Sequence, residues 1–173
     1  MTNPLFTNTR QSGKSRATQE MKKAWIAAGH EVIEREGYAI FKRAREESVM
    51  PKIEYRKTIL REDLRNEPEA LFVFGDSMAR KGLGGQAKEM RYEPNAVGIP
   101  TKKHPSMRQD SFFSDIDFSW WVRATKDDFD RLRDHKGKIV WPSDDIGTGL
   151  AQLPERAPKI WNFIQDFKLT LEH

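Results

Sequence analysis

The sequence contains no cysteine among its 173 residues. This absence excludes a disulfide framework, a thiol nucleophile and a metal site with cysteine ligands. No apolar run approaches the roughly 18 residues of a membrane-spanning helix. The first 16 residues also lack the apolar centre of a secretory signal. We therefore expect a cytoplasmic protein with no membrane partner.

The motifs of several common enzyme classes are absent as well. The chain has no GxGxxG followed about 20 residues later by an acidic residue, and no GxxxxGK followed by Ser or Thr. It also lacks the GxSxG elbow of α/β-hydrolases. His104 has no second His or carboxylate at ligand spacing. Hydride transfer and P-loop hydrolysis thus have no support, and we predict neither a metal site nor a cofactor.

Length and charge limit the organisation of the chain. Its length suits one domain with an appendage, and 30 basic against 26 acidic residues permit contact with nucleic acid without requiring it. We predict a flexible arm and helical N-terminal extension (1–50), a main domain (51–170) and a tag remnant (171–173). Helical spacing of apolar residues predicts a helix over 17–36. Lys14 and Arg16 of the arm are candidate phosphate contacts, and the alternative is a frayed terminus without a binding role.

The most informative pattern lies in the first half of the main domain. The apolar run 71–74 is short and β-prone, which predicts a buried strand that stops at Gly75. A glycine-rich turn, 81–86, follows, and its successive backbone N–H groups are predicted to face an anion. A second apolar run, 96–99, then brings a threonine and two lysines, 101–103, to another strand end.

A second glycine-bearing loop, 142–150, follows the short predicted strand 138–141. Two such loops, each leaving a strand end, are predicted to hold a diphosphate from opposite sides. Apolar spacing also predicts a crossover helix over 117–134, in one piece or two, and a final helix over 154–167. This alternation of strands and helices predicts an α/β protein with three α/β/α layers and a mixed central sheet.

These motifs resemble those of the macrodomain family. The resemblance covers residues 69–168 and is closest to the branch that contains terminal ADP-ribose glycohydrolase and the antitoxins that remove ADP-ribose from DNA. Its most specific part combines TKK at 101–103 with IGTGL at 146–150. The chain is also similar to small phage and bacterial proteins that carry VFGDN, GGQAKEMR and GIPTK. The resemblance implies a macrodomain-like fold, with ADP-ribose or an ADP-ribosylated macromolecule as partner.

The resemblance also implies a set of site residues. Lys102 would attack or electrostatically activate C1 of the distal ribose, which requires a pKa depressed by burial or by the adjacent Lys103. The branch places an acid after its second loop, where this chain has Ala151. Asp76 and Asp145, or Asp144, are therefore the candidate acid/base groups, although each could instead cap a turn. The residues predicted to bind the ligand are Gly75, Lys81, Gly82, Leu83, Gly84, Gly85, Gln86, Thr101, Lys103, Ile146, Gly147, Thr148, Gly149 and Leu150.

Three functions follow from these expectations. The first is hydrolysis of ADP-ribosyl linkages, including those on nucleic acid, whose phosphates Arg80, Arg91 and Arg108 would meet. The second is a reader without turnover, or a sponge for an ADP-ribose-like nucleotide. Ala151 favours the second function, whereas Lys102 favours the first. The third is a nucleic-acid-binding accessory protein whose glycines are structural.

Overall fold

The computed structural model describes residues 6–7, 16–35, 38–42 and 53–172. The chain divides into two compact units, Met1–Ser48 and Val49–His173. Most of the predicted arm, including Lys14, lies outside the described residues. No helix in the described ranges is long and apolar enough to cross a bilayer.

The first unit combines a helix with a small antiparallel sheet of order β1-β3-β2. Trp25 of the helix packs edge-on against Phe41 of the sheet, with the ring centroids 5.8 Å apart. The elements are β1 (Phe6–Thr7), α1 (Arg16–Ala27), β2 (Glu31–Arg35) and β3 (Tyr38–Lys42).

The prediction of one helix over 17–36 is wrong beyond Ala27. Gly29 has a φ of +81°, a left-handed conformation that commonly ends a helix. Val32 and Ile33 then lie in β2, where branched β-carbons are favoured. Val32 packs against the buried Phe41. The extension is therefore a mixture of helix and strand, because packing overrides the helical spacing.

The second unit is built on a four-stranded sheet of order β4-β7-β5-β6. Two single 3-10 turns, Gln109–Ser111 and Asp115–Asp117, precede its crossover helices. The strands and helices are β4 (Ile53–Arg56), α2 (Arg61–Asn66), β5 (Leu71–Ser77), α3 (Ala87–Met90), β6 (Ala96–Lys102), α4 (Phe118–Ala124), α5 (Lys126–Asp134), β7 (Ile139–Pro142), α6 (Leu153–Arg156) and α7 (Pro158–Glu172).

The α/β class is confirmed, and the sheet is parallel where a mixed sheet was predicted. The three strand pairs that join β4, β7, β5 and β6 are all parallel. Every connection between successive strands of this sheet contains a helix, which lets the chain return in the same direction. The last helix also continues through the predicted boundary at residue 170, and its Leu171 is buried.

Helices cover both faces of the parallel sheet. On one face, Phe72 and Val140 pack with Leu64 of α2 and Met90 of α3. Neighbouring residues of a strand point to opposite faces, so Trp141 faces the other side, where α7 lies. There α4, α5 and α7 bring together a cluster of edge-on aromatic rings: Phe118, Trp121, Phe129, Phe163 and Phe167. This arrangement gives the predicted α/β/α layers.

The pairing of β5 with β6 has one irregularity, at the carboxyl ends of the strands. Asp76 lies opposite Pro100 and Ser77 lies opposite Lys102, so Thr101 is an extra residue in β6. Such a bulge redirects the side chains around it. Thr101 and Lys102 are consecutive, yet both side chains are buried at the same end of the sheet.

Candidate functional site

The two glycine loops meet at the carboxyl edge of the sheet. They follow β5 and β7, which are neighbouring parallel strands, so both loops leave the same edge. A β-carbon placed on Gly84 of the first loop would lie 3.8 Å from Cδ1 of Leu150 in the second. One placed on Gly75 would lie 3.8 Å from the backbone nitrogen of Gly147. The two loops, which are more than 50 positions apart in the chain, therefore lie side by side.

A cavity of about 440 Å³ lies between these loops. Every candidate acid/base or ligand-binding residue lines it except Asp144, Lys103 and Thr148. Lys103 instead pairs with Asp117 at 3.0 Å, and the Thr148 hydroxyl donates to the carbonyl oxygen of Asp144 at 2.8 Å. The third wall, His104 to Met107, was not predicted as part of the site, because its residues carry no glycine or phosphate-binding pattern.

The first loop presents free backbone donors to the cavity. Gly82 and Gly85 have φ values of +96° and +56°, which glycine adopts without a steric penalty. A β-carbon on Gly82 would come within 2.4 Å of Pro105, so only glycine fits there. The backbone N–H groups of Leu83, Gly84 and Gly85 donate to no residue that the structure describes. Helix α3 behind them is only one turn long, so an anion here would rely on loop amides.

The second loop is built in a similar way. Gly147 has a φ of +85°, and its carbonyl oxygen accepts a hydrogen bond from the backbone of Leu153 at 2.9 Å. A β-carbon on Gly147 would lie 2.5 Å from the Leu153 side chain, which fixes glycine at this position. Between Gly147 and Ala151, the backbone N–H groups make no hydrogen bond within the described part of the chain. The two loops thus offer unpaired donors to one cavity.

Asp76 lines the cavity, and its carboxylate is held by a buried arginine. The Arg91 guanidinium donates to both carboxylate oxygens, and the two side chains are 7% and 3% exposed. Arg91 also donates to the carbonyl oxygen of Gly82 at 2.8 Å. This pair ties the first loop to the end of β5. Arg80 pairs with Asp128. Arg80 and Arg91, both predicted to contact nucleic acid phosphates, are thus engaged by carboxylates.

Asp145 has the corresponding position in the second loop. Its carboxylate accepts hydrogen bonds from Trp141 Nε1 at 2.8 Å and from the backbone of Ile146 at 2.9 Å, and it pairs with Lys168. Burial alone would raise the pKa of this carboxyl, but Lys168 and the two other donors outweigh burial and hold the pKa below 3.8. Asp145 is therefore a charged anchor, poorly suited to donate a proton at neutral pH.

Lys102 is a buried cation of the site, and it has no carboxylate partner among the described residues. Its Nζ donates to the carbonyl oxygen of Ser106, lies 3.5 Å from the Met107 sulfur and sits 4.5 Å from the centroid of the Phe112 ring. Burial lowers the pKa of this amine below 10.5, with a further contribution from the Arg156 guanidinium. The second charge is thus that of Arg156 rather than the predicted Lys103.

One further polar group in the cavity wall lacks a partner. The side-chain oxygen of Gln86 is buried and accepts no hydrogen bond from the described residues. Buried polar atoms are normally paired in folded proteins, so this atom is a candidate acceptor for a ligand donor. Lys81, at the same wall, is exposed and forms no ion pair within the described part of the chain. Both residues were predicted to bind the ligand.

Within the described residues, no group of three or more His, Asp or Glu side chains could hold a metal ion. Comparisons with characterised proteins and with solved structures gave no match. A family model does match residues 54–167, which include both glycine loops, Lys102 and the whole cavity wall. The chain belongs to this family, DUF7831, which is described as a family of unknown function.

Proposed function

We propose that the cavity binds an ADP-ribosyl group and that the protein hydrolyses the bond between C1 of its distal ribose and an acceptor, in the cytoplasm. The observation that carries this proposal is the convergence of two glycine loops and one buried lysine on a single cavity. A macrodomain-like relationship remains part of the proposal, since it rests on the motifs alone.

The loops suit a diphosphate. Leu83, Gly84 and Gly85 of the first loop line the cavity, as do Gly147, Gly149, Leu150 and Ala151 of the second, and their N–H groups have no partner among the described residues. Two neighbouring phosphates in this cavity would accept from both loops. Lys81 adds a cation at the rim. The unpaired oxygen of Gln86 suits a ribose hydroxyl as donor. The volume of about 440 Å³ lies within the range of small-molecule sites.

Lys102 supplies the chemistry in this proposal. A neutral Nζ forms a bond to C1, and the bond from C1 to the acceptor breaks, with its electron pair leaving on the acceptor. The acceptor takes the proton that Nζ loses. Water then displaces Nζ from C1, which gives free ADP-ribose and restores the amine. The lowered pKa of Lys102 increases the neutral fraction that the first step needs.

The test is to incubate the protein with ADP-ribosylated DNA and with ADP-ribosylated protein and to measure released ADP-ribose. We expect release by the wild type and a loss of about 10²-fold or more in Lys102→Ala. Lys103→Ala is the matched control, because its ammonium pairs with Asp117 outside the cavity. Equal release by Lys102→Ala would remove Lys102 from the mechanism, and no release by the wild type would remove hydrolysis.

A reader without turnover is the second candidate, and the pairing of the carboxylates favours it. Asp76 and Asp145 both line the cavity but are engaged by Arg91 and Lys168, and Ala151 stands where the related branch has an acid. A reader binds ADP-ribose in calorimetry and releases none from a modified substrate. Absence of binding would exclude both candidates and leave the third function, that of a nucleic-acid-binding accessory protein.

A further inference from the structure

Two cations of the second unit differ from the others in their partners. Ten lysine and arginine side chains between residues 53 and 172 are buried or half-buried. Within the described part of the chain, Lys102 and Arg156 have no carboxylate partner. The eight others each form an ion pair: Arg56, Arg61, Arg91, Lys103, Lys126, Arg133, Lys138 and Lys168. Because removing a charge from water is costly without a counter-ion, these two exceptions need an explanation.

Lys102 and Arg156 share one aromatic ring. The Arg156 guanidinium carbon lies 3.8 Å from the centroid of Phe112, and Lys102 Nζ lies 4.5 Å from the same point. The two charges are therefore no farther apart than the sum of these distances. Their repulsion contributes to the lowered pKa of Lys102. An aromatic face compensates a cation only in part.

The other contacts of the two side chains orient them without neutralising them. Lys102 donates to the Ser106 carbonyl oxygen. Arg156 donates from Nε to Gln152 Oε1 at 2.7 Å and from Nη1 to Gln109 Oε1 at 3.2 Å. All of these acceptors are uncharged. A guanidinium has five N–H donors, so Arg156 keeps donors for a ligand.

We propose that Arg156 and Lys102, in its ammonium form, bind an anionic oxygen group of the ligand, a phosphate or a carboxylate, joined to C1 of the bound ribose. In the proposed hydrolysis, Lys102 gives its proton to this group before the neutral Nζ forms the bond to C1. Lys102 lines the cavity and Arg156 does not, so this group lies at the cavity edge, where the acceptor emerges. A planar guanidinium beside a point charge matches the oxygens of such a group. The link to ribose rests on the proposed function, whereas the anion site stands without it.

The experiment measures how fast acetic anhydride acylates Lys102, read by peptide mass spectrometry, in chloride, phosphate or acetate at equal ionic strength. Bound anion shields the amine, so the rate falls by the factor 1 + [L]/Kd, severalfold at saturating anion. We expect this protection in the wild type and in Arg108→Gln, whose arginine is exposed and pairs with Asp110. We expect it to be lost in Arg156→Gln and recovered in Arg156→Lys.

Protection by phosphate alone assigns a phosphate group, and protection by acetate alone assigns a carboxylate. No protection of the wild type, or equal protection in Arg156→Gln, would overturn the site. Circular dichroism shows whether Arg156→Gln is still folded. Recovery of protection in Arg156→Lys shows that the positive charge is what the site requires. ADP-ribose is added in a parallel sample. If phosphate or acetate protects Lys102 and ADP-ribose does not, the anion site holds and the proposed function fails. If ADP-ribose protects Lys102 and neither phosphate nor acetate does, the anion site fails and the proposed binding of ADP-ribose holds.

Discussion

Each of the two glycine loops is held by an ion pair, but a different member of the pair contacts the loop backbone in each case. In the first loop the cation reaches the loop, since Arg91 donates to the Gly82 carbonyl oxygen while it pairs with Asp76. In the second loop the carboxylate reaches the loop, since Asp145 accepts from the Ile146 backbone while it pairs with Lys168. The comparison shows that a carboxylate that lines a cavity can stabilise a loop rather than contact a ligand.

The two anchors also differ in burial, which sets the order of the expected effects. The Asp76 and Arg91 side chains are 3% and 7% exposed, whereas those of Asp145 and Lys168 are 16% and 13% exposed. A broken pair leaves a charge that must be solvated, and a more buried charge has less access to water. The first anchor is therefore expected to matter more for stability.

The largest effect is expected from Arg91→Met. It leaves the Asp76 carboxylate buried, and among the described residues Arg80, 3.6 Å away, is its remaining ion-pair partner. We therefore expect a loss of about 3–5 kcal/mol in the free energy of unfolding. Urea denaturation measures this loss. Arg108→Gln, which breaks an exposed pair, is the control and should stay within about 0.5 kcal/mol of the wild type. Equal losses in the two variants would contradict the anchoring role.

A smaller effect is expected from Asp145→Asn. The amide oxygen still accepts from Trp141 and Ile146 but no longer pairs with the Lys168 charge, which predicts a loss of about 1–3 kcal/mol. Because the pKa of Asp145 is lowered in the fold, the wild type keeps this advantage above pH 3.8 and loses it as the pH falls further. Asp144→Asn is the neighbouring control, since its carboxylate is exposed. Matching urea midpoints for the two variants would show that Asp145 is no anchor.

The smallest effect on stability is expected from Lys102→Met, because Lys102 forms no ion pair within the described part of the chain. Its pKa is lowered in the fold, so the folded protein loses its proton before the unfolded chain does as the pH rises. The stability of the wild type relative to Lys102→Met should therefore increase between neutral pH and about pH 10.5. Urea midpoints at the two pH values measure the change. A difference that falls or stays constant with pH would disagree with a buried, uncompensated amine.

Much of the fold could be predicted from the sequence because its strong signals are local. The apolar run 71–74 gives the central strand, although the strand continues past the predicted stop at Gly75 to Ser77. The spacing in 117–134 gives the crossover helices. The single final helix predicted over 154–167 is two helices, Leu153–Arg156 and Pro158–Glu172. Two larger features were also predicted wrongly. The residues after Ala27 fit a helix by spacing and form a strand by packing, and the direction of strand pairing depends on long-range order that no local pattern contains.

The site was predicted in outline but not in the roles of its charges. Glycines next to strand ends located both loops, since their conformational demand is visible in the sequence. The partners of Asp76 and Asp145 lie 15 and 23 positions further along the chain, so sequence reasoning could not see that both carboxylates are paired. The contact of Arg156 with Phe112 was missed for the same reason. The wall from His104 to Met107 was missed because it carries no glycine or phosphate-binding pattern.

The extra residue at Thr101 has a practical consequence. In a regular strand, a threonine and the lysine after it would project to opposite sides of the sheet. Here, both residues line one cavity. The position of the amine is therefore built into the backbone and not only into the choice of a side chain. Anyone who transplants this site onto another parallel scaffold must carry the irregular pairing along with the two loops.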